Sequence, residues 1–478
     1  MSDAAVASRR RTRDVAGIAT VAAYAVLGAI LVGTRVVGLG RSFWHDEILT
    51  VVLFVREGPR EILAGDYIPN NHELFSLLGW ATSSLFGESE VALRLWSVVP
   101  FVAAVLLVTV WLHVRVGALT GVLYLYFATL SPLLLDLSRQ ARGYGLAFLA
   151  MSVLVLAALD VHRTRRRSAI AAFCAAGVVG TWTLPIFGVT FAATGLVLLV
   201  ERPRRTLAWS LAVSYAAIAV WYAPNVDDLL ENSQQEFGAR IGWFGLPTSP
   251  IDQVVIPALL WIEGPVLSPG PAGLLLVAVV AVLLLSSPLL RQRGPALVLG
   301  SSVAGPLVVV WAARLYLSTR FVSYLLVPLF VLLASGCAYV LSHPRRARAR
   351  PVLAVATLAL AAGAFATAGR PVLRLPREAH RDAAELVREQ GRGDRVLAYM
   401  LRPRDLDFYL DAPFRTLEPG DVVSSVCAAD RDVVYVTQPY GVPRVSLPCL
   451  QRPGVRHRRL EQYAAGDQID VWFVPHAR

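Results

Sequence analysis

Two adjacent carboxylates, Asp46 and Glu47, stand in the segment WHDE, and a third acid, Asp66, precedes the polar cluster Asn70, Asn71, His72, Glu73. A carboxylate held near a substrate hydroxyl can take its proton as general base. Five arginines, Arg94, Arg139, Arg142, Arg314 and Arg320, fall at the ends of apolar stretches. A guanidinium offers a fixed fork of donors that matches phosphate. One acid facing several arginines is a set that could activate a hydroxyl beside a phosphate-bearing substrate. Each residue also has a plainer reading. Asp46 could cap the helix that follows, since Asp is a favoured N-cap. His72 could be a hydrogen-bonding loop residue, because no second His or Cys stands at ligand spacing. Arg94 could pair with a loop acid.

The elements that must position these groups are membrane helices. Mean hydropathy is +0.55, 55% of the 478 residues are hydrophobic and only 17% are charged, which excludes an ordinary soluble enzyme. Apolar spans are predicted at 15–37, 92–113, 116–136, 143–161, 169–184, 185–200, 206–223, 271–290, 295–314, 320–342 and 351–369, about eleven in all. Pro185 either divides two of them or kinks one. The first span is too long for a signal-peptide core, so it is read as a helix that stays. With the N-terminus cytoplasmic, the basic clusters RRRTR, HVR, HRTRRR, ERPRR, RQR and HPRRARAR all fall inside. The net charge of +11 is therefore a topology signal and not a nucleic-acid surface. This topology puts the first loop (38–91), a second large loop (224–270) and the C-terminal part outside the cytoplasm of a multi-pass cell-membrane protein. The second loop carries Asp227, Asp228, Glu231, Trp243 and Phe244, and its segment 251–262 suits a short interfacial helix.

From 375 the composition becomes that of a soluble domain. A helix is expected at 376–390 and strands at 395–400, 432–437 and 469–474, giving a small α/β domain over 375–478 beside a membrane domain over 1–374. Asp405-Leu-Asp407 is a DxD triplet to which no chemistry is assigned, and no metal ligands are assigned elsewhere. No nucleotide-binding motif occurs. Cys174 and Cys337 read as packing residues inside spans. Cys427 and Cys449 are candidates for a disulfide if their domain faces an oxidising compartment.

WHDE, the later D…NNHELFSLL, ALRLWSVVP, SRQARGYGLAF and RFVSYLLVP, in that order, resemble the GT-C class of integral-membrane glycosyltransferases. That group includes protein O-mannosyltransferases and lipid A aminoarabinose transferases. The resemblance covers most of 15–342. It implies a polyprenyl-phosphate sugar donor used on the extracytoplasmic side. It implies Asp46 as the catalytic carboxylate with Glu47 beside it, and Asp66 as the second acid of the loop. Arg139, Arg142 and Tyr144 match the family's ARxY-like stretch, and Arg320 with Phe321 its late Arg-Tyr pair. Where many members have His-Pro-Pro-Leu-Tyr, this chain has Asn-His-Glu-Leu-Phe, so acceptor choice and metal use do not carry over.

The expectation is thus a GT-C-like membrane protein with a small extracytoplasmic α/β domain. It would move a sugar, mannose or arabinose-like, from a polyprenyl-phosphate carrier to an envelope glycan, glycolipid or protein. Asp46 and Glu47 are the catalytic candidates. Asp66, Asn71, His72, Arg94, Arg139, Arg142, Tyr144 and Arg320 are the substrate-binding ones. No cofactor is assigned, and a divalent cation stays open. Membrane lipids are partners; nucleic acid is not. The rival is a transporter or flippase of lipid-linked sugars, which would use the same arginines and need no base. Transporters tend to carry internal repeats and mid-membrane polar residues; neither is visible here.

Overall fold

The computed structural model describes residues 3–228 except 66, 67, 69 and 165, then 280–312, 319–343 and 361–374. In the C-terminal part it describes 378–389, 396–400, 403–410, 414–429, 432–437, 447–460 and 469–475, with a few single positions between. Asp66, Arg314, most of the 224–270 loop and most of the first half (351–360) of the predicted 351–369 span lie outside the described residues.

The first helix, α1 (Asp3–Val36), leads into α2 (His45–Thr50), a π turn at Val51–Val55, α3 (Pro59–Ala64) and α4 (Glu73–Phe86). The first loop is therefore largely helical. Next come α5 (Glu90–Arg115), α6 (Ala118–Leu130), α7 (Pro132–Leu137), α8 (Tyr144–Thr164), α9 (Arg167–Thr183), α10 (Phe187–Glu201) and α11 (Arg205–Tyr222). The helices Arg293–Ala312 and Leu326–Ser342 follow the second large loop, the latter entered through a 3-10 turn at Thr319–Leu325. One predicted span comes out differently. The stretch 116–136 breaks at Ser131–Pro132, because proline cannot continue a helix but is favoured at the first position of the next. The Ser131 hydroxyl caps that next helix, accepting from Leu134 N–H. Pro185 divides α9 from α10.

Among the described residues five helices are long and apolar enough to cross a membrane: Gly17–Val36, Glu90–Arg115, Tyr144–Thr164, Arg205–Asp228 and Arg320–Ser342. Ala118–Leu130, Phe187–Glu201 and Arg293–Val309 are shorter apolar helices. Their outward residues are also apolar: Val110, Leu196, Trp209, Val213 and Val220 are all exposed. Such a surface suits lipid and would be a liability in water.

α8 lies at the centre of the bundle, packed on α5 and α9. Small residues set how close the helices come. A methyl on Gly145 would stand 1.9 Å from the Ser97 carbonyl oxygen of α5, and one on Gly177 or Gly180 would run into Phe191 or Phe187 of α10. Packed around these contacts, Phe101, Phe127, Phe148, Phe173, Phe187 and Tyr324 form one continuous core.

The C-terminal part is a five-stranded sheet, β1 (Val396–Tyr399), β2 (Arg415–Thr416), β3 (Val433–Thr437), β4 (Arg456–Leu460) and β5 (Ile469–Val474), in the order β2-β1-β3-β5-β4. β1 runs parallel to β2 and β3, and β5 antiparallel to β3 and β4. The three strands read from the sequence are β1, β3 and β5. β3 is buried over Val433–Val436 because it is covered on both faces. Val434 and Val436 pack under the helix His380–Glu389, while Val433 and Tyr435 pack with Val422, Val426 and Cys449 on the other side. A Cys427–Cys449 disulfide closes that second face.

Candidate active site

Trp44 is the N-cap residue of α2, so Asp46 sits in the first turn and is not itself the cap. A carboxylate in the first turn is favoured by the helix dipole. Its Oδ2 accepts from Arg320 Nη1 at 2.7 Å and lies 3.2 Å from Arg142 Nη1. Asp46 and Arg320 are both partly exposed, whereas Arg142 is fully buried. Arg320 comes from the 3-10 turn before the helix Leu326–Ser342, and its guanidinium lies over the Trp44 and Phe321 rings. Arg142 comes from the irregular stretch between α7 and α8. Three segments far apart in the chain thus place two guanidiniums on one carboxylate.

The support for Arg142 is specific. Its Nη1 donates to the Asn70 side-chain oxygen, its Nη2 lies 2.9 Å from His72 Nε2, and the Tyr144 ring packs beneath it. His72 Nδ1 accepts from Gly143 N–H at 2.8 Å. Burial first, then Arg142 and Arg320, hold His72 well below the usual imidazole range. Gly143 is required there, since a methyl would meet Thr183 at 2.5 Å and His72 Nδ1 at 3.0 Å. Asn70 also donates to the Asp46 carbonyl, tying the acid to its arginine.

Other residues expected at the site have structural partners. Glu47, expected beside Asp46 as a catalytic group, is buried and fully engaged. Oε1 accepts from Arg94 Nε and Ala141 N–H, and Oε2 from Arg94 Nη2 and Trp44 N–H. Arg94, expected at substrate, is its partner and also donates to the carbonyls of Leu39, Arg41 and Ser42. Arg139 donates to the carbonyls of Val37 and Val372, so its charge holds backbone together. Asn71 ties α3 to α4, donating to the Ile62 carbonyl and accepting from Ser76. Asn70 is the amide that reaches Arg142. Glu73 is buried with the Trp221 indole and Asn225 donating to it. Burial pushes its carboxyl up to about 7, against the lowering effect of those two donors.

The C-terminal domain docks on the residues leading into Asp46. Phe43 N–H donates to the Tyr409 hydroxyl at 2.6 Å, and that hydroxyl donates to Glu90 at 3.1 Å. His45 N–H donates to Glu378, and His45 Nδ1 lies 2.9 Å from Asp405. Arg41 donates to the Val372 and Leu373 carbonyls. These contacts hold residues 41–45 between the bundle and the sheet domain, which fixes where α2 begins.

No protein-family model matches the sequence, and no curated protein matches it. Among solved structures, ArnT from Cupriavidus metallidurans bound to undecaprenyl phosphate is 15% identical over 95% of this chain and 97% of its own, with a TM-score of 0.50. The Archaeoglobus fulgidus oligosaccharyltransferase, tethered with an acceptor peptide, is 14% identical over 83% of this chain and 63% of its own, at 0.49. Arabinofuranosyltransferase AftD from mycobacteria is 15% identical over 96% of this chain and 41% of its own, at 0.40. The ArnT likeness runs through nearly the whole of both chains and is one of fold. The chain has the fold of the GT-C membrane proteins that its motifs resemble.

Proposed function

We propose that the protein is a membrane glycosyltransferase that moves a sugar, mannose or arabinose-like, from a polyprenyl-phosphate carrier to a hydroxyl of an envelope glycan, glycolipid or protein on the extracytoplasmic face. The observation that carries this reading is the partly exposed Asp46 carboxylate shared by Arg142 and Arg320. The fold held in common with ArnT bound to undecaprenyl phosphate supports the donor class.

A sugar on a phosphate already has a good leaving group, so positive charge at the phosphate replaces a strong general acid. Arg142 and Arg320 supply that charge. Before donor binds they are drawn to Asp46. A donor phosphate competes for the same forks, and its capture frees the Asp46 Oδ2 lone pairs. Asp46 then takes the proton of the acceptor hydroxyl while that oxygen forms the bond to the anomeric carbon. The carbon–oxygen bond to phosphate breaks, and the polyprenyl phosphate leaves with the electron pair. One displacement inverts the anomeric centre. His72, Asn70 and Tyr144 keep Arg142 in place.

The test is transfer of label from polyprenyl-phosphate mannose, and then arabinose, to envelope extract by the purified protein. Release of polyprenyl phosphate with an inverted glycoside supports the reading. Donor binding without transfer from any carrier points to a transporter of lipid-linked sugars.

A further inference from the structure

Away from Asp46, on the other side of His45, lies a second cluster. Glu378, His380 and Asp405 are all buried, and one ligand-competent atom of each lies within 4.8 Å of the others. His380 Nε2 is 2.9 Å from Glu378 Oε2 and 3.5 Å from Asp405 Oδ2. His45 Nδ1 lies 2.9 Å from that same Asp405 oxygen. Asp405 is the first acid of the Asp405-Leu-Asp407 triplet. Asp407 is exposed, so the triplet does not act as a pair. Residues two apart on a helix point to different sides.

We infer that Glu378, His380 and Asp405 form a divalent-cation site, with zinc the ion that suits them best, at the seam between the sheet domain and the loop that carries Asp46. A four-coordinate zinc with bonds of about 2.0–2.2 Å separates its donors by roughly 3.3–3.6 Å. Of the two His380 separations, 3.5 Å lies in that range and 2.9 Å would have to open by about half an ångström to admit the ion. The donor set is one imidazole and two carboxylates, the hard-to-borderline mixture zinc accepts, and three protein ligands leave a fourth position for water or His45.

The protons present are a poor substitute for an ion. His380 Nε2 faces two carboxylates and can offer one proton. A cation on Nε2 would hold both carboxylates at once, where a single Nε2 proton serves only one. His45 then orients the Asp405 carboxylate from the loop side, as partners of metal-bound carboxylates do. Its own backbone N–H donates to Glu378 at 2.9 Å, so the ion would join the sheet domain to the residue preceding Asp46. The site stands independently of the transferase reading.

The test uses tag-free full-length protein in detergent, stripped with chelator and then titrated with zinc alone. About one equivalent of tightly held zinc in the wild type, lost in Asp405→Asn and His380→Gln, is the expected result. X-ray absorption at the zinc edge of the wild type should show an oxygen/nitrogen shell containing one histidine, which keeps the test valid if a variant fails to fold. Wild-type protein that takes up no zinc, variants that keep the full equivalent, or a shell of sulfur or water alone would overturn the inference.

Discussion

Arg94 grips Glu47 through two parallel hydrogen bonds, Nε to Oε1 at 2.9 Å and Nη2 to Oε2 at 2.6 Å, with both side chains buried. The neighbouring acid, Asp46, remains reachable from outside. Two adjacent carboxylates therefore have opposite fates. A six-residue helix explains the division, since consecutive residues on it face about 100° apart. One turns to Arg94 in the bundle and the other to Arg142 and Arg320.

Removing one partner of that buried pair strands the other charge. Arg94→Ala or Glu47→Ala should cost about 3–5 kcal/mol of stability. A large drop in thermal midpoint in detergent is expected, with activity falling in proportion to folded protein. An unchanged midpoint with lost activity would return Glu47 to the chemistry.

Arg142 and Arg320 should behave as phosphate ligands. Lysine keeps the charge but loses the fork. Arg142→Lys and Arg320→Lys should weaken donor binding by roughly ten- to a hundredfold, the worth of one charged hydrogen bond. KM for donor, or direct binding of polyprenyl phosphate, is the readout. Arg139→Lys should instead lower the thermal midpoint with donor KM little changed, because Arg139 serves the Val37 and Val372 carbonyls.

Glu73 gives the protein a pH dependence of known sign. Burial raises its folded carboxyl to about 7 from an ordinary 4.5. Between those values the folded state holds more protons than the unfolded one, so stability falls as pH rises through that window and levels off above it. Glu73→Gln should flatten this part of the curve. Thermal midpoints of both proteins from about pH 5 to about pH 8 are the check.

The Cys427–Cys449 bridge closes a loop of 22 residues across one face of the sheet. Cys449→Ser should destabilise the C-terminal domain by about 2–4 kcal/mol. Limited proteolysis should cut the variant's sheet domain sooner, with the membrane bundle unaffected.

Much of this was legible in the sequence. Apolar spans, arginine clusters and the composition change near 375 foretold a helical bundle followed by a sheet domain. Asp46 stood out as an acid in the polar WHDE loop, and Arg142 and Arg320 because an arginine at an outer span end lacks the usual topological reason. Their partners were harder to read. Glu47 and Arg94 look as catalytic as Asp46, and only the direction each faces separates them. Gln-Ala-Arg-Gly-Tyr-Gly makes sense once Gly143 lies against His72 and Gly145 against the Ser97 carbonyl. Trp44 under Arg320, and Glu378 beside His45, join segments hundreds of residues apart. No local pattern announces such contacts.

The most direct measurement compares wild type with Asp46→Asn in single-turnover transfer from labelled polyprenyl-phosphate sugar, with donor binding measured on the same samples. Loss of a general base should slow transfer by roughly 10²–10⁴-fold. Donor binding should hold or tighten, since Asn no longer competes for Arg142 and Arg320. Near-wild-type transfer by the variant would contradict the role given to Asp46, and with it the account of the site.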